Sequence, residues 1–171
     1  MTDLLIFGCV KKKRRGVVEC RAEELYTSDL WNKRMAWLRA TGRELDYIFS
    51  AQYGLIPPDA AIRPYERTLK DRHAWARRPV DRLSDPAHAD RWRHVQANRF
   101  ASALLFKGPI SIELHAGTLY FEELERIAEM ICSDPARYTV GPITIHRPLG
   151  GLGLGHQKQW YAQRTAEAEA S

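Results

Sequence analysis

Leu4-Leu5-Ile6-Phe7-Gly8 is an unbroken apolar run close to the start of the chain. A short continuous run of this kind fits a strand covered on both faces. Ser28 is a suitable N-cap for a helix over 29–40, with Asp29 in the first turn suiting the helix dipole and Thr41-Gly42 closing it. Tyr47-Ile48-Phe49-Ser50 predicts a second strand. Between 54 and 86 the prolines at 57, 58, 64, 79 and 86 argue against a long regular element and for a structured surface insertion. From His88 to Phe106, Ala97, Phe100, Ala101 and Leu104 repeat at the spacing of a buried helix face. Ile110-Ser111-Ile112-Glu113-Leu114 alternates with period two, as a strand does. A helix over 117–131, a strand over 143–145, a glycine-rich turn over 150–155 and a helix over 156–168 complete the order. The last residues, TAEAEAS, are low in complexity and are expected to fray over about 165–171.

Strands alternating with helices predict one α/β domain over residues 1–171: a three-layer, open, mainly parallel sheet of about four strands with helices on both faces. The 171 residues suffice for a core without staples, and no apolar run approaches the length of a membrane span. The apolar start lacks a preceding basic region, so it is expected to be a core strand and not a signal peptide. Three cysteines are too few and too irregular for a disulfide framework and suit a reducing cytoplasm.

Charge alters this picture more than composition does. The formal charge is +5, but residues 1–100 carry 20 Lys and Arg against 13 Asp and Glu, a surplus of +7, while residues 101–171 carry 6 against 8. The surplus gathers in Lys11-Lys12-Lys13-Arg14-Arg15 and in the stretch from Arg63 to Arg93, where Arg72, Arg77, Arg78, Arg82, Arg91 and Arg93 are interleaved with Trp75 and Trp92. Cations with aromatic rings suit a phosphate backbone and unstacked bases, so a nucleoside, nucleotide or nucleic acid is the expected partner.

Open parallel sheets place their ligand crevice outside the carboxyl ends of the strands. That rule collects Cys9 and Lys11 to Lys13 after the first strand, Ser50, Tyr53 and Gly54 after the second, His115, Gly117 and Tyr120 after the third, and Gly151 and Gly153 after the fourth. Cys9 is the candidate nucleophile, because nearby cations favour the thiolate of such a residue. His115 is the candidate acid or base. The lysines offer point charges for phosphate, although the Walker A pattern is absent, and the glycine turn lacks the last glycine of a dinucleotide fingerprint. Cys9, Cys20 and Cys132 have no zinc spacing, so neither metal nor cofactor is expected.

Several blocks carry a family resemblance. Cys9-Val10-Lys11-Lys12-Lys13, Leu25-Tyr26-Thr27-Ser28, Ser50-Ala51-Gln52-Tyr53-Gly54-Leu55 and Pro64-Tyr65-Glu66-Arg67, with His115-Ala116-Gly117 and Pro148-Leu149-Gly150-Gly151, resemble a bacterial and phage family of uncharacterised domains. That family has C-x-K-K-K, L-Y-x-S and S-A-x-Y-G-L blocks. It is distantly similar to YaaA-like proteins and to the uracil-DNA-glycosylase-like domain of archaeosine synthase. The resemblance implies a compact α/β domain that handles a base, a nucleoside or nucleic acid. In such a pocket Tyr26, Tyr53 and Tyr65 would contact the base while Ser28 and Ser50 bond its edges. The leading expectation is an enzyme acting on a nucleobase at an N-glycosidic bond or a modified base; the alternative is a nucleic-acid-binding or nucleotide-sensing module without catalysis.

Overall fold

The structure is a computed structural model that describes residues 2–66, 69, 86–104 and 108–171. Arg72, Arg77, Arg78 and Arg82 lie outside those residues, with most of the expected insertion. Strand β1 (Thr2–Gly8) is the centre of a five-stranded sheet. It pairs in parallel with β3 (Tyr47–Ser50) on one side and β6 (Ile110–His115) on the other. β6 pairs in parallel with β7 (Ile143–His146). The antiparallel edge strand β4 (Gly54–Ile56) lies beyond β3, giving the order β4-β3-β1-β6-β7.

Two features depart from the expected four strands. Residues 54–56 join the main sheet, because a tight turn after Ser50 sends the chain straight back along β3. Farther on, β2 (Cys20–Arg21) and β5 (Ala61–Ile62) pair as a small antiparallel ribbon.

Alternation along β1 assigns its side chains to two cores. Leu4 and Ile6 join Ile112 and Leu114 of β6 under α3 (Pro86–Ala103) and α4 (Thr118–Ser133), which contribute Ala97, Phe100, Leu124 and Ile127. Leu5 and Phe7 face the opposite layer, built by α1 (Ala22–Leu25), α2 (Asp29–Thr41) and α5 (Leu154–Glu169) through Leu25, Trp31, Trp37 and Tyr161. Four successive β1 side chains, Leu4 to Phe7, are therefore buried, as an apolar run without alternation requires. Each such side chain stabilises the fold by about 1.5–3 kcal/mol through its burial.

α2 begins as its sequence indicates. The Ser28 Oγ accepts the Trp31 N–H at 3.1 Å, and Gly42 closes the helix in the left-handed region at φ 63°. α5 continues to Glu169, through most of the tail expected to fray, with Arg164 and Gln163 both bonded to Glu167. Among the described residues no helix is long and apolar enough to cross a membrane.

Candidate functional site

β1 ends at Gly8, so Cys9 emerges at the carboxyl edge of the central strand, its N–H bonded to Phe49 O at 3.0 Å. The loop after β6 approaches very closely there: a Cβ on Gly8 would stand 2.6 Å from that of Ala116. This packing brings the first turn of α4 over the strand end, and Tyr120 Oη lies 3.0 Å from Cys9 Sγ. From the other side, Ser50 at the end of β3 donates through Oγ to Tyr65 Oη at 2.8 Å, while the same Oγ accepts from the N–H groups of Gln52 and Tyr53. Tyr65 and Tyr26 share a hydroxyl hydrogen bond of 2.9 Å. The Tyr53 ring meets Tyr65 edge-on at 5.4 Å, and Lys13 Nζ stands 4.1 Å from the Tyr65 ring centre. Tyr65 also hydrogen-bonds to Cys9, so that one thiol, one serine hydroxyl and three phenol hydroxyls form a connected polar cluster at the ends of parallel strands.

Burial, and secondarily the charge Cys9 carries when ionised, pushes the Tyr26, Tyr65 and Tyr120 phenols well above the ordinary tyrosine value. They are therefore neutral at physiological pH, able to donate and accept hydrogen bonds but not to act as bases. Burial also lowers the Lys13 ammonium, an effect that Cys9 and Glu66 partly offset. Cys9 brings the one thiol of the cluster.

His115 does not join it. Its side chain is wholly buried in the layer of α2 and α5, in register with Phe7 and so below the strand end that carries Cys9, stacked on Trp37 at 5.3 Å and packed against Phe7, Trp160 and Tyr161. Both ring nitrogens are engaged: Nε2 lies 2.6 Å from Glu113 Oε1, and Nδ1 bonds the Tyr161 hydroxyl. A carboxylate only accepts, so Nε2 carries the proton and Nδ1 accepts from Tyr161. Burial lowers the imidazole below 6.5 despite Glu113, consistent with this neutral form. Hydrogen bonding from His115, helped by Arg43, holds the Glu113 carboxyl at about 2. Arg43 grips Glu113 with two bonds of 3.0 Å. The outer end of this chain opens into a groove of about 720 Å³ lined by Asp3, Arg43, Glu113, His146 and Arg147 among others. The acid or base expected at position 115 is thus enclosed in the aromatic core, which bars it from touching a ligand beside Cys9.

Other expected site residues have local structural work. Ser28 is the α2 cap. Gly54 adopts φ 73°, and a Cβ there would collide with the Gln96 side chain at 1.5 Å. Gly117 and Gly153 are the N-caps of α4 and α5, and Gly151 turns at φ 80°. Lys11 and Lys12 are exposed beside the cluster, Lys11 O accepting from Lys13 Nζ and Lys12 O from Thr27 N–H. Arg91 is exposed, but Arg93 is committed to Glu123 and Asp90. Among the described residues no group of three or more His, Cys, Asp or Glu side chains could hold a metal.

Arg34, Glu113 and Tyr161 were not anticipated as site residues. Arg34 falls on the buried stripe of α2 with Leu30, Trp31, Trp37 and Leu38, and a charge on an apolar stripe is a legible signal. Glu113 and His115 share a strand face by simple alternation, a relation legible in the sequence.

Fold and cluster together define a three-layer α/β protein with a cysteine–tyrosine cluster at the carboxyl edge of its sheet. The chain belongs to a family of unknown function, DUF6884, whose model matches residues 4–163. No curated protein matches it.

Proposed function

We propose that the protein is an enzyme acting on a nucleobase or nucleoside, free or within nucleic acid, with Cys9 as nucleophile. The carrying observation is the hydrogen-bonded convergence of Cys9, Tyr120, Tyr65, Tyr26 and Ser50. Neutral phenols suit the carbonyls and ring nitrogens of a base, and aromatic faces suit its plane. In a glycosidic reaction the Cys9 thiolate attacks the anomeric carbon. A C–S bond forms, the C–N bond breaks, and its electron pair leaves with the base. Water then displaces sulfur, and its proton goes to the departed base. The likeness to YaaA-like proteins and to the uracil-DNA-glycosylase-like domain of archaeosine synthase favours the same substrate class by analogy. The free cysteines suit a cytoplasmic setting.

The exposed cations Lys11, Lys12, Arg14 and Arg15 favour a second reading, a module that binds nucleic acid or a nucleotide without chemistry. A panel of nucleosides and oligonucleotides, assayed for binding and base release, separates the two. The enzyme releases base, and Cys9→Ala slows release at least 100-fold while leaving affinity within about threefold. Binding with no release by the unaltered protein supports the module, and neither binding nor release overturns both.

A further inference from the structure

Arg34 is fully buried, yet no carboxylate among the described residues bonds to it. Nη1 donates to Gly8 O at 2.9 Å, and Nε has no hydrogen-bond partner among the described residues. The guanidinium lies 5.2 Å from the centre of the Phe7 ring and 5.9 Å from that of Tyr161. It interacts electrostatically with Tyr161, to which it also hydrogen-bonds, and with Cys9. Removing a guanidinium from water costs several kcal/mol unless opposite charge compensates it. A neutral amide would satisfy the Gly8 carbonyl without that cost, so the hydrogen bond alone does not account for a cation here.

The surroundings give the charge a direction. Gly8 O belongs to the peptide that leads into Cys9, which places the guanidinium against the base of the thiol-bearing residue. Behind it, Arg34 donates to the Tyr161 oxygen, Tyr161 donates to His115 Nδ1, and His115 Nε2–H donates to Glu113. Each group in this chain has one orientation, fixed by the carboxylate at its end. The buried cation is thereby held at the strand end while its nearest carboxylate in the chain stays two side chains away, leaving the charge unneutralised on the Cys9 side.

We propose that Arg34 is a positioning residue for Cys9, a buried positive charge set behind the peptide that carries it and raising the reactivity of its sulfur, and that Tyr161, His115 and Glu113 hold Arg34 in that place. The proposal rests on the reading of Cys9 as nucleophile, and it is tested without any substrate. In a Cys20→Ser/Cys132→Ser background Cys9 is the one thiol, and its alkylation by iodoacetamide, a neutral reagent, is followed by mass at pH 7. The parent is expected to react faster than free cysteine. Arg34→Gln should slow it at least tenfold, Arg34→Lys should restore it to within threefold of the parent, and Tyr161→Phe should slow it at least twofold. A general loosening of the fold exposes the thiol and acts against the slowing, so it cannot imitate this pattern. If Arg34→Gln does not fold, Tyr161→Phe carries the test, and a parental rate in it overturns the proposal. A folded Arg34→Gln variant within twofold of the parent overturns it, as does a parent no faster than free cysteine. Arg34-dependent thiol reactivity without base release would overturn the functional reading alone. Cys9-dependent base release with Arg34-independent alkylation would overturn this proposal alone.

Discussion

His115 and Glu113 tie stability to pH through opposite kinds of group. Below 6.5 an unfolded histidine takes up a proton that the buried His115 refuses, so the unfolded state binds more protons and stability falls as pH drops from 6.5 toward the lower folded value. Glu113 acts further down. Its folded carboxyl stays ionised to about 2 against 4.5 in the free chain, so its contribution is complete above 4.5 and is lost as pH falls through about 2. Melting temperature should therefore decline in two limbs. His115→Gln should flatten the limb just below pH 6.5, and Glu113→Gln the one between 4.5 and 2, each against a lower melting temperature at pH 7. Equal slopes for His115→Gln and the unaltered protein just below pH 6.5 would show that the imidazole is free to ionise in the fold. Glu113 is half-exposed, so its effect is modest beside that of the enclosed histidine.

At the scale of elements, the close meeting of β1 with the loop before α4 makes the Cys9–Tyr120 contact possible. Gly8→Ala introduces a methyl 2.6 Å from the Ala116 Cβ and 3.6 Å from the Tyr120 ring, with backbone of the Ala116 loop just behind. Overpacking of this kind costs about 1–3 kcal/mol, and it should lower the urea midpoint without changing the denaturant slope. Ser28→Ala removes only a cap, about 1 kcal/mol, and serves as a comparison: if Gly8→Ala costs no more than Ser28→Ala, the approach of strand and loop is looser than these distances imply. Periodicity exposed most of these elements beforehand, because β1, β6 and α4 each bury a long enough pattern to read. It missed β4, where three residues followed by Pro57 and Pro58 offer no period, and the β2–β5 ribbon, where each strand has two. The strand-end rule located Cys9, Ser50 and Tyr120 because it concerns height along the sheet. It misplaced His115 because β6 runs one residue further than its apolar alternation shows, so His115 is the last strand residue, level with Phe7 and enclosed among aromatic rings, and not part of the loop beyond. Arg34 escaped because a helical arginine is ordinarily solvated, and only the apolar residues around it on α2 argue otherwise.

For the whole molecule, the structure redistributes the basic surplus. Arg93 is spent on Glu123 and Asp90, Arg63 and Arg21 on Glu19 and Glu23, and Arg43 on Glu113. Lys11, Lys12, Arg14 and Arg15 are exposed and pair with no acid among the described residues. They begin two residues after Cys9, so under the proposed function a phosphate backbone held by them would pass the cysteine–tyrosine cluster. Four cations spread over residues 11–15 suit several phosphates of a polynucleotide better than the single phosphate of a mononucleotide. Each phosphate neutralised on a single strand contributes about 0.7 to the slope of log affinity against log salt. Four cations engaged at once give a slope near −3, with magnitude about 3. Lys11→Gln/Lys12→Gln should reduce that magnitude by about 1.4 and weaken binding to every sequence alike, since phosphate contacts carry no base information. Fluorescence anisotropy with a labelled single-stranded oligonucleotide between 50 and 300 mM salt measures both slopes. Unchanged slopes would mean that the backbone runs elsewhere on the molecule. A reduced slope with intact base release at low salt would separate the surface that holds the strand from the cluster proposed to react with its base.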